Sequence, residues 1–213
     1  MYFKPKDYDS VSVGNFRTLP ADGYICRIIK AEETESSQGK PMLKIAFDIC
    51  DGEYANYFMD LFQSRRKAAK TDADKKKVKW PFNGTKWIMM LDNEGKTSRN
   101  FKGFCTALED SGTQVWAEDN SLNTAELKDA EVGVIFRREE QEYEGKKSWR
   151  TVPWGFRSVE TIEGGDFYVP EDEPFKAKPT TPYANNSYNS LKAINDMQMV
   201  DSFSAAEDDI PFK

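Results

Sequence analysis

The chain of 213 residues contains no histidine and only three cysteines, Cys26, Cys50 and Cys105. Without an imidazole base, histidine-dependent hydrolase triads are excluded, and so are the zinc sites and metalloprotease motifs that require histidine. The cysteines are far apart and form no CxxC pair, so neither a four-cysteine zinc site within one chain nor a disulfide framework is expected. We expect each cysteine to be a small buried side chain in a reducing cytoplasm.

The sequence also lacks long apolar runs. No stretch approaches the roughly 18 apolar residues that are needed to cross a bilayer. Residues 1–7 do not contain an apolar core of signal-peptide length. These features predict a soluble, cytoplasmic protein that has no membrane partner.

Two enzyme motifs are incomplete. Gly95-Lys96-Thr97 would end a phosphate-binding GxxxxGK[ST] loop, but Met90 occupies the position of the required upstream glycine. Glu-x-Lys triplets at 94–96, 126–128 and 144–146 match the end of a metal-dependent nuclease motif, yet such triplets arise freely when 31% of the residues are charged. We therefore predict a protein without catalysis, cofactor or metal, and keep a nuclease as the least favoured alternative.

The charge of the chain is segregated. The net charge is −6, and residues 171–213 contribute −4 of it from eight acidic and four basic residues. Residues 63–81, by contrast, carry eight basic and two acidic residues, with Trp80 near their end. Because basic charge beside aromatic rings is how unpaired nucleic acid strands are held, this segment is a candidate phosphate clamp. The alternative is an ordinary solvated surface.

Hydrophobic patterning predicts a mainly β domain. Residues 42–51 alternate strictly, with Leu43, Ile45 and Phe47 on one face. A helix is predicted at 100–111, where apolar residues recur at helical spacing, and a helical turn at 124–128. Asp51-Gly52 is predicted to be a hairpin turn. The other predicted strands are 24–33, 54–62, 86–92, 131–142 and 147–162.

This order of elements predicts a fold. Three strands, a basic insertion with a small strand, a helix and two more strands follow the order of the OB-fold, a five-stranded Greek-key barrel. We predict an OB-fold-like single-stranded DNA-binding domain over residues 1–170. Prolines and low apolar content beyond it predict a flexible, disordered linker and acidic tip over residues 171–213. A β-sandwich with one added helix is the alternative.

The chain ends in an acidic motif with one apolar anchor. Asp208-Asp209-Ile210-Pro211-Phe212 resembles the acidic tip of bacterial and phage single-stranded DNA-binding proteins. In that family a nucleic-acid-binding fold is followed by a flexible linker and then the tip. The resemblance implies that the tip recruits replication or recombination proteins, or competes with DNA for a basic groove. The family tip ends at Phe, whereas Lys213 follows Phe212 here.

Four short motifs carry a second resemblance. They are Leu-Pro-Ala-Asp-Gly-Tyr at 19–24, Gly-Lys-Pro-Met-Leu at 39–43, Phe-Lys-Gly-Phe at 101–104 and Arg-Ser-Val-Glu at 157–160. These motifs resemble a family of small phage proteins from Gram-positive hosts that lie in replication gene clusters, which implies a role in phage replication or recombination.

These observations predict a bacteriophage-type protein that binds and protects single-stranded DNA during replication or recombination. A protein-interaction or adaptor module with an OB-like or sandwich core is the alternative. The residues predicted to contact DNA are basic side chains and candidate stacking rings: Arg65, Arg66, Lys67, Lys75, Lys76, Lys77, Lys79, Trp80, Tyr57, Lys147, Trp149, Arg150 and Trp154.

Overall fold

A computed structural model of the chain describes residues 18–143 and 145–176. This described part contains five strands, five helices and one 3₁₀ turn. The strands are β1 (Gly23–Glu35), β2 (Pro41–Ile49), β3 (Thr85–Met89), β4 (Glu131–Tyr143) and β5 (Lys146–Arg157). The helices are α1 (Tyr57–Ala68), α2 (Asp72–Lys77), α3 (Arg99–Asp110), α4 (Thr124–Leu127) and α5 (Val159–Glu163), and the 3₁₀ turn spans Phe82–Gly84.

The five strands form one antiparallel sheet in the order β3-β2-β1-β4-β5. Strand β1 is central, with Cys26 opposite Ile49 of β2 and Val132 of β4. The pairing of β4 with β5 shifts register between Ile135 and Phe136, and such an irregularity bends a strand. The prediction of a mainly β domain with a five-stranded sheet is confirmed.

The core combines aliphatic side chains with a network of aromatic rings. Phe136 of β4 lies 6.1 Å from both Phe47 of β2 and Phe58 of α1, measured between ring centroids. On another side of the core, Phe104 of α3 contacts Phe156 of β5 at 4.8 Å. The apolar stripe predicted for the helix at 100–111 is confirmed, since its members Phe101, Phe104, Cys105 and Leu108 are all buried.

The predicted strand at 54–62 is wrong, because most of these residues belong to α1. The carboxylate of Asp48 accepts hydrogen bonds from the backbone N–H groups of Phe58 at 2.9 Å and Met59 at 3.0 Å. The first N–H groups of a helix have no partner within it, so Asp48 fixes where α1 begins. Phe58 and Phe62 then lie about one turn apart and are both buried.

Two neighbouring predictions change as a consequence. Asp51-Gly52 is not a hairpin turn, since the chain passes from β2 into α1. The third strand of the sheet in chain order is instead β3, which overlaps the short strand predicted at 86–92. At the other end, the strand predicted at 147–162 stops at Arg157, because the Ser158 hydroxyl accepts the N–H of Thr161 at 3.2 Å and caps α5.

Parts of the prediction fall outside the described residues. The acidic tip at 208–212 is among them. Residues 171–176 are described, and Glu173 forms a parallel bridge with Glu139 of β4. Within the described part, no helix has the length and apolar character needed to cross a membrane.

Candidate nucleic-acid interface

An open cleft of about 210 Å³ lies where α1, the 3₁₀ turn and β5 meet. The residues that line it include Tyr57, Trp149, Arg150 and Asn83. Tyr57, Trp149 and Arg150 are predicted DNA contacts, and the fold brings Tyr57 to the other two, which are neighbours in the sequence. Asn83 was not predicted, since an asparagine beside a glycine reads as an ordinary turn residue.

The segment before β1 closes one side of the cleft. Leu19 is buried there, and its carbonyl accepts a hydrogen bond from the Thr151 hydroxyl at 2.6 Å. Burial raises the pKa of Tyr57, while a hydrogen bond with the Leu19 backbone acts in the opposite direction. The Tyr57 hydroxyl is therefore protonated at neutral pH, and the cleft keeps a neutral ring on this wall.

Asp48 sets the position of Tyr57. Tyr57 is the first residue of α1, and the N–H groups of the next two residues are held by the Asp48 carboxylate. Burial raises the pKa of Asp48 to about 6, although hydrogen bonds from the backbone of Phe58, Met59 and Ile49 lower it. The Asp48 carboxylate is thus a buried anchor that orients one ring of the cleft.

Arg150 connects the cleft to a neighbouring surface. Its guanidinium carbon lies 4.9 Å from the centroid of the Phe82 ring, and its Nη2 lies 3.9 Å from a carboxylate oxygen of Glu139. Its Nε is buried and has no hydrogen-bond partner among the described residues. A buried donor without a partner is costly, so the Nε of Arg150 is an unsatisfied group of the described structure.

Beyond Arg150, half-buried rings alternate with cations, and the last of these cations, Lys44, is buried. Phe82 contacts Trp87 with ring centroids 5.5 Å apart. The Nζ of Lys44 lies 5.8 Å from the Trp87 ring, and the two residues are cross-strand neighbours. We call Arg150, Phe82, Trp87 and Lys44 the ring row. The sequence shows Trp87 only as one member of an apolar strand, and therefore the row was not predicted.

Trp149 is the most open ring of the cleft. It is 42% exposed, and the guanidinium carbon of Arg138 lies 5.1 Å from its centroid. The predicted contact Lys147 is close by in β5, where its Nζ lies 3.3 Å from a carboxylate oxygen of Glu140. A base that stacked on Trp149 would therefore have cations beside it, which is favourable for the adjacent phosphate.

The basic helices lie apart from the cleft lining. Arg65, Arg66 and Lys67 occupy the last turn of α1, while Lys75, Lys76 and Lys77 occupy that of α2. Cations at these positions are favoured by the helix dipole, and Lys75 also pairs with Asp72 at 2.8 Å. Part of this basic charge thus has a local structural role. Arg66 and Lys67 also line a second open cavity of about 260 Å³.

Two predicted rings lie elsewhere. Trp80 is 5% exposed, and its indole N–H donates to the carbonyl of Gly84 at 3.1 Å. Its ring is a core element that contacts Phe62, with centroids 5.6 Å apart. Trp154 is 39% exposed but does not line the cleft. Lys79 is half-buried, immediately before Trp80.

The chemistry gathered here is that of stacking and ion pairing. No three His, Cys, Asp or Glu side chains within residues 18–143 and 145–176 come together as a metal site would require.

No protein-family model matches the chain, and no curated protein is significantly similar to it.

Proposed function

We propose that this protein binds single-stranded DNA, with bases stacked on Tyr57 and Trp149 and phosphates held by Arg150 and the basic helix ends. The observation that carries the proposal is the cleft, whose lining includes Tyr57, Trp149 and Arg150. Stacking on such rings accepts any base and contributes about 1–3 kcal/mol per base. The binding would therefore be largely independent of sequence.

The arrangement of the sheet supports an OB-type barrel. The edge strands are β3 and β5, and the ammonium of Lys86 in β3 donates to the carbonyl of Pro153 in β5 at 2.7 Å. This contact draws the two edges together. Helix α3 follows β3 and packs on β5. A five-stranded, partly open barrel of this kind commonly binds oligonucleotides on its face and loops.

The ring row extends the proposed path. Arg150 belongs both to the cleft and to the row, so a strand leaving the cleft would meet Phe82 and then Trp87. A base must be unpaired and unstacked to lie on any of these rings. Duplex DNA would therefore be a poor ligand, which fits protection of strands exposed during phage replication or recombination.

The acidic C-terminal region has two proposed roles. Residues 171–213 carry a net charge of −4, so they can compete with DNA for the basic surface when no strand is bound. The tip, Asp208, Asp209, Ile210, Pro211 and Phe212, offers an apolar anchor after two carboxylates to a replication or recombination protein. Capture of such a partner by the full chain, with loss of capture by Phe212→Ala, tests the second role.

The proposal is tested by fluorescence anisotropy with a labelled polythymidine oligonucleotide and a labelled duplex of the same length. We expect tight binding of the single strand, much weaker binding of the duplex, and a loss of affinity as salt rises. Equal affinity for the two ligands, or no binding of either, would contradict the proposal.

An adaptor that binds only protein is the second candidate. It is favoured by the interleaving of charge, since Lys75, Lys77 and Lys147 each lie within 4 Å of a carboxylate and so do not form a continuous basic groove. In that case the exposed rings would serve a protein partner. The anisotropy experiment separates the two candidates, because an adaptor would leave both labelled nucleic acids unbound.

A further inference from the structure

Beyond Ile135, the edge of β4 that faces β1 is no longer paired with that strand. The pairing of β1 with β4 reaches Ile135, opposite Gly23, while β4 continues to Tyr143. Past this point the segment around Glu173 lies along β4. The N–H of Glu173 donates to the carbonyl of Arg138 at 2.9 Å, and the N–H of Glu140 donates to the carbonyl of Glu173 at 2.8 Å. The segment thus forms a single parallel bridge with β4.

The same segment brings two carboxylates to two adjacent arginines. Glu173 forms an ion pair with Arg137, and a carboxylate oxygen of Asp172 lies 3.3 Å from Nη1 of Arg138. We call Asp172 and Glu173 the acidic strap. Because Arg137 and Arg138 are consecutive in a strand, their side chains point to opposite faces. The acidic strap therefore holds one carboxylate against each face of β4.

Arg138 is part of the surroundings of the cleft. Its guanidinium carbon lies 5.1 Å from the ring of Trp149, which lines the cleft. Arg137 is also held by Glu139, with Nη2 and a carboxylate oxygen 2.7 Å apart. Of the two arginines, Arg138 is the one placed to serve a strand that stacks on Trp149.

Carboxylates and phosphates bind to an arginine side chain in a similar way. Both accept charge-assisted hydrogen bonds from the planar guanidinium, often two at once. A carboxylate bound at Arg138 thus marks a position where the phosphate of a nucleotide stacked on Trp149 is also acceptable. The nearby carboxylates of Glu139 and Glu140 are engaged by Arg137 and Lys147 respectively, so they do not fill this position.

We infer that Arg138 is an additional phosphate-binding residue beside Trp149, and that the acidic strap occupies it until single-stranded DNA displaces the Asp172 carboxylate. The inference rests on the proposed function and extends it to a residue that the basic run at 63–81 does not include. It also assigns competition with DNA to two residues that are separate from the tip at 208–212.

The test compares two double variants of the full chain that each remove two negative charges. Asp172→Asn/Glu173→Gln neutralises the acidic strap, whereas Glu160→Gln/Glu163→Gln neutralises two exposed residues of α5. The affinity for a labelled polythymidine oligonucleotide is measured at low salt by anisotropy. We expect the strap variant to bind roughly three- to tenfold more tightly than the α5 variant, as two exposed ion pairs allow, and the gap to shrink as salt rises.

A double-mutant cycle locates the effect. Asp172→Asn is measured alone and together with Arg138→Gln, and the tightening caused by Asp172→Asn should disappear when Arg138 is absent. If wild type binds but the strap and α5 variants have equal affinity, or if Asp172→Asn tightens binding without Arg138, the inference is overturned and the proposed function stands. If neither wild type nor any variant binds the oligonucleotide, both the inference and the proposed function are contradicted.

Discussion

The ammonium of Lys86 donates to the carbonyl of Pro153 at 2.7 Å, and this contact joins the two edge strands of the sheet. Lys86 belongs to β3 and Pro153 to β5. Burial lowers the pKa of Lys86, while the nearby charge of Glu139 raises it. A half-buried lysine thus tethers one edge of the sheet to the other, and the cleft residue Trp149 lies in β5, the same strand as Pro153.

We expect Lys86→Met to lower the free energy of unfolding by about 1–3 kcal/mol, because the buried Pro153 carbonyl loses its donor. Urea denaturation followed by circular dichroism measures this change. The control is Lys96→Met, since Lys96 pairs with Glu94 in an exposed turn and such pairs contribute little. Equal losses in the two variants would show that the Lys86 contact has no special role.

Asp48 should make stability depend on pH. Its pKa is raised from 3.8 to about 6 in the folded protein. Protonated Asp48 therefore contributes fully to the free energy of unfolding below about pH 4, and this contribution is lost as the pH rises through about 6. Asp48→Asn removes the titrating group. Between about pH 4 and pH 7 the free energy of unfolding of the variant, relative to wild type, should therefore rise by up to roughly 3 kcal/mol.

Urea denaturation of wild type and Asp48→Asn at several pH values checks this expectation. The control is Glu118→Gln, an exposed residue, whose difference from wild type should stay nearly constant. A constant difference for Asp48→Asn as well would mean that its carboxylate does not titrate in this range. The amide of asparagine still accepts one of the N–H groups at the start of α1, so the helix is retained.

Removal of the Trp149 ring should weaken binding of single-stranded DNA. Trp149→Ala is expected to lower the affinity by about 1–3 kcal/mol, the contribution of one stacked base. Trp116→Ala is the matched control, because Trp116 is also exposed but contacts Phe101 of α3. Anisotropy with a polythymidine oligonucleotide gives both affinities, and similar losses would remove Trp149 from the interface.

The basic end of α1 should determine the salt dependence of binding. Arg65→Gln/Lys67→Gln is expected to reduce the slope of log affinity against log salt by about 0.7 for each phosphate that the variant no longer neutralises. Lys102→Gln/Lys128→Gln removes two exposed charges elsewhere and should leave the slope nearly unchanged. If both variants alter the slope equally, the charge acts through the overall field of the protein and not through phosphates bound at α1.

Deletion of residues 171–213 should tighten binding at low salt, since it removes a net charge of −4 together with the acidic strap. A chain that ends at residue 176 keeps the strap and should show only part of the gain. Anisotropy at two salt concentrations compares these chains with wild type. Unchanged affinity after the longer deletion would rule out competition by the tail.

The parts of the fold that follow local patterning could be predicted from the sequence. The alternation of Leu43, Ile45 and Phe47 predicts β2, and the helical spacing of Phe101, Phe104 and Leu108 predicts α3. The start of α1 could not be predicted in this way, because it depends on Asp48 reaching the N–H groups of residues about ten positions later. Residues 54–62 are rich in aromatic and apolar side chains, which favour a strand when read alone.

The candidate site was predictable by residue type but not by arrangement. Tyr57, Trp149 and Arg150 are recognisable in the sequence as rings and a cation, and only the packing of α1 near β5 brings them into one cleft. Trp80 is a candidate on the same grounds and is buried, since nothing in its neighbourhood along the chain distinguishes a core ring from an exposed one. Arg138 lies in a run of charged residues, and its position over Trp149 depends on the pairing of β4 with β5.

The most direct test of the account is tryptophan fluorescence of the full chain during titration with a polythymidine oligonucleotide, beside the Trp149→Phe variant. A strand in the cleft should quench the wild-type signal at a concentration that rises steeply with salt. The quenching should be much smaller for Trp149→Phe, while a duplex of equal length should have little effect on either protein. Equal quenching of both proteins, or none in wild type, would contradict binding of single-stranded DNA in this cleft.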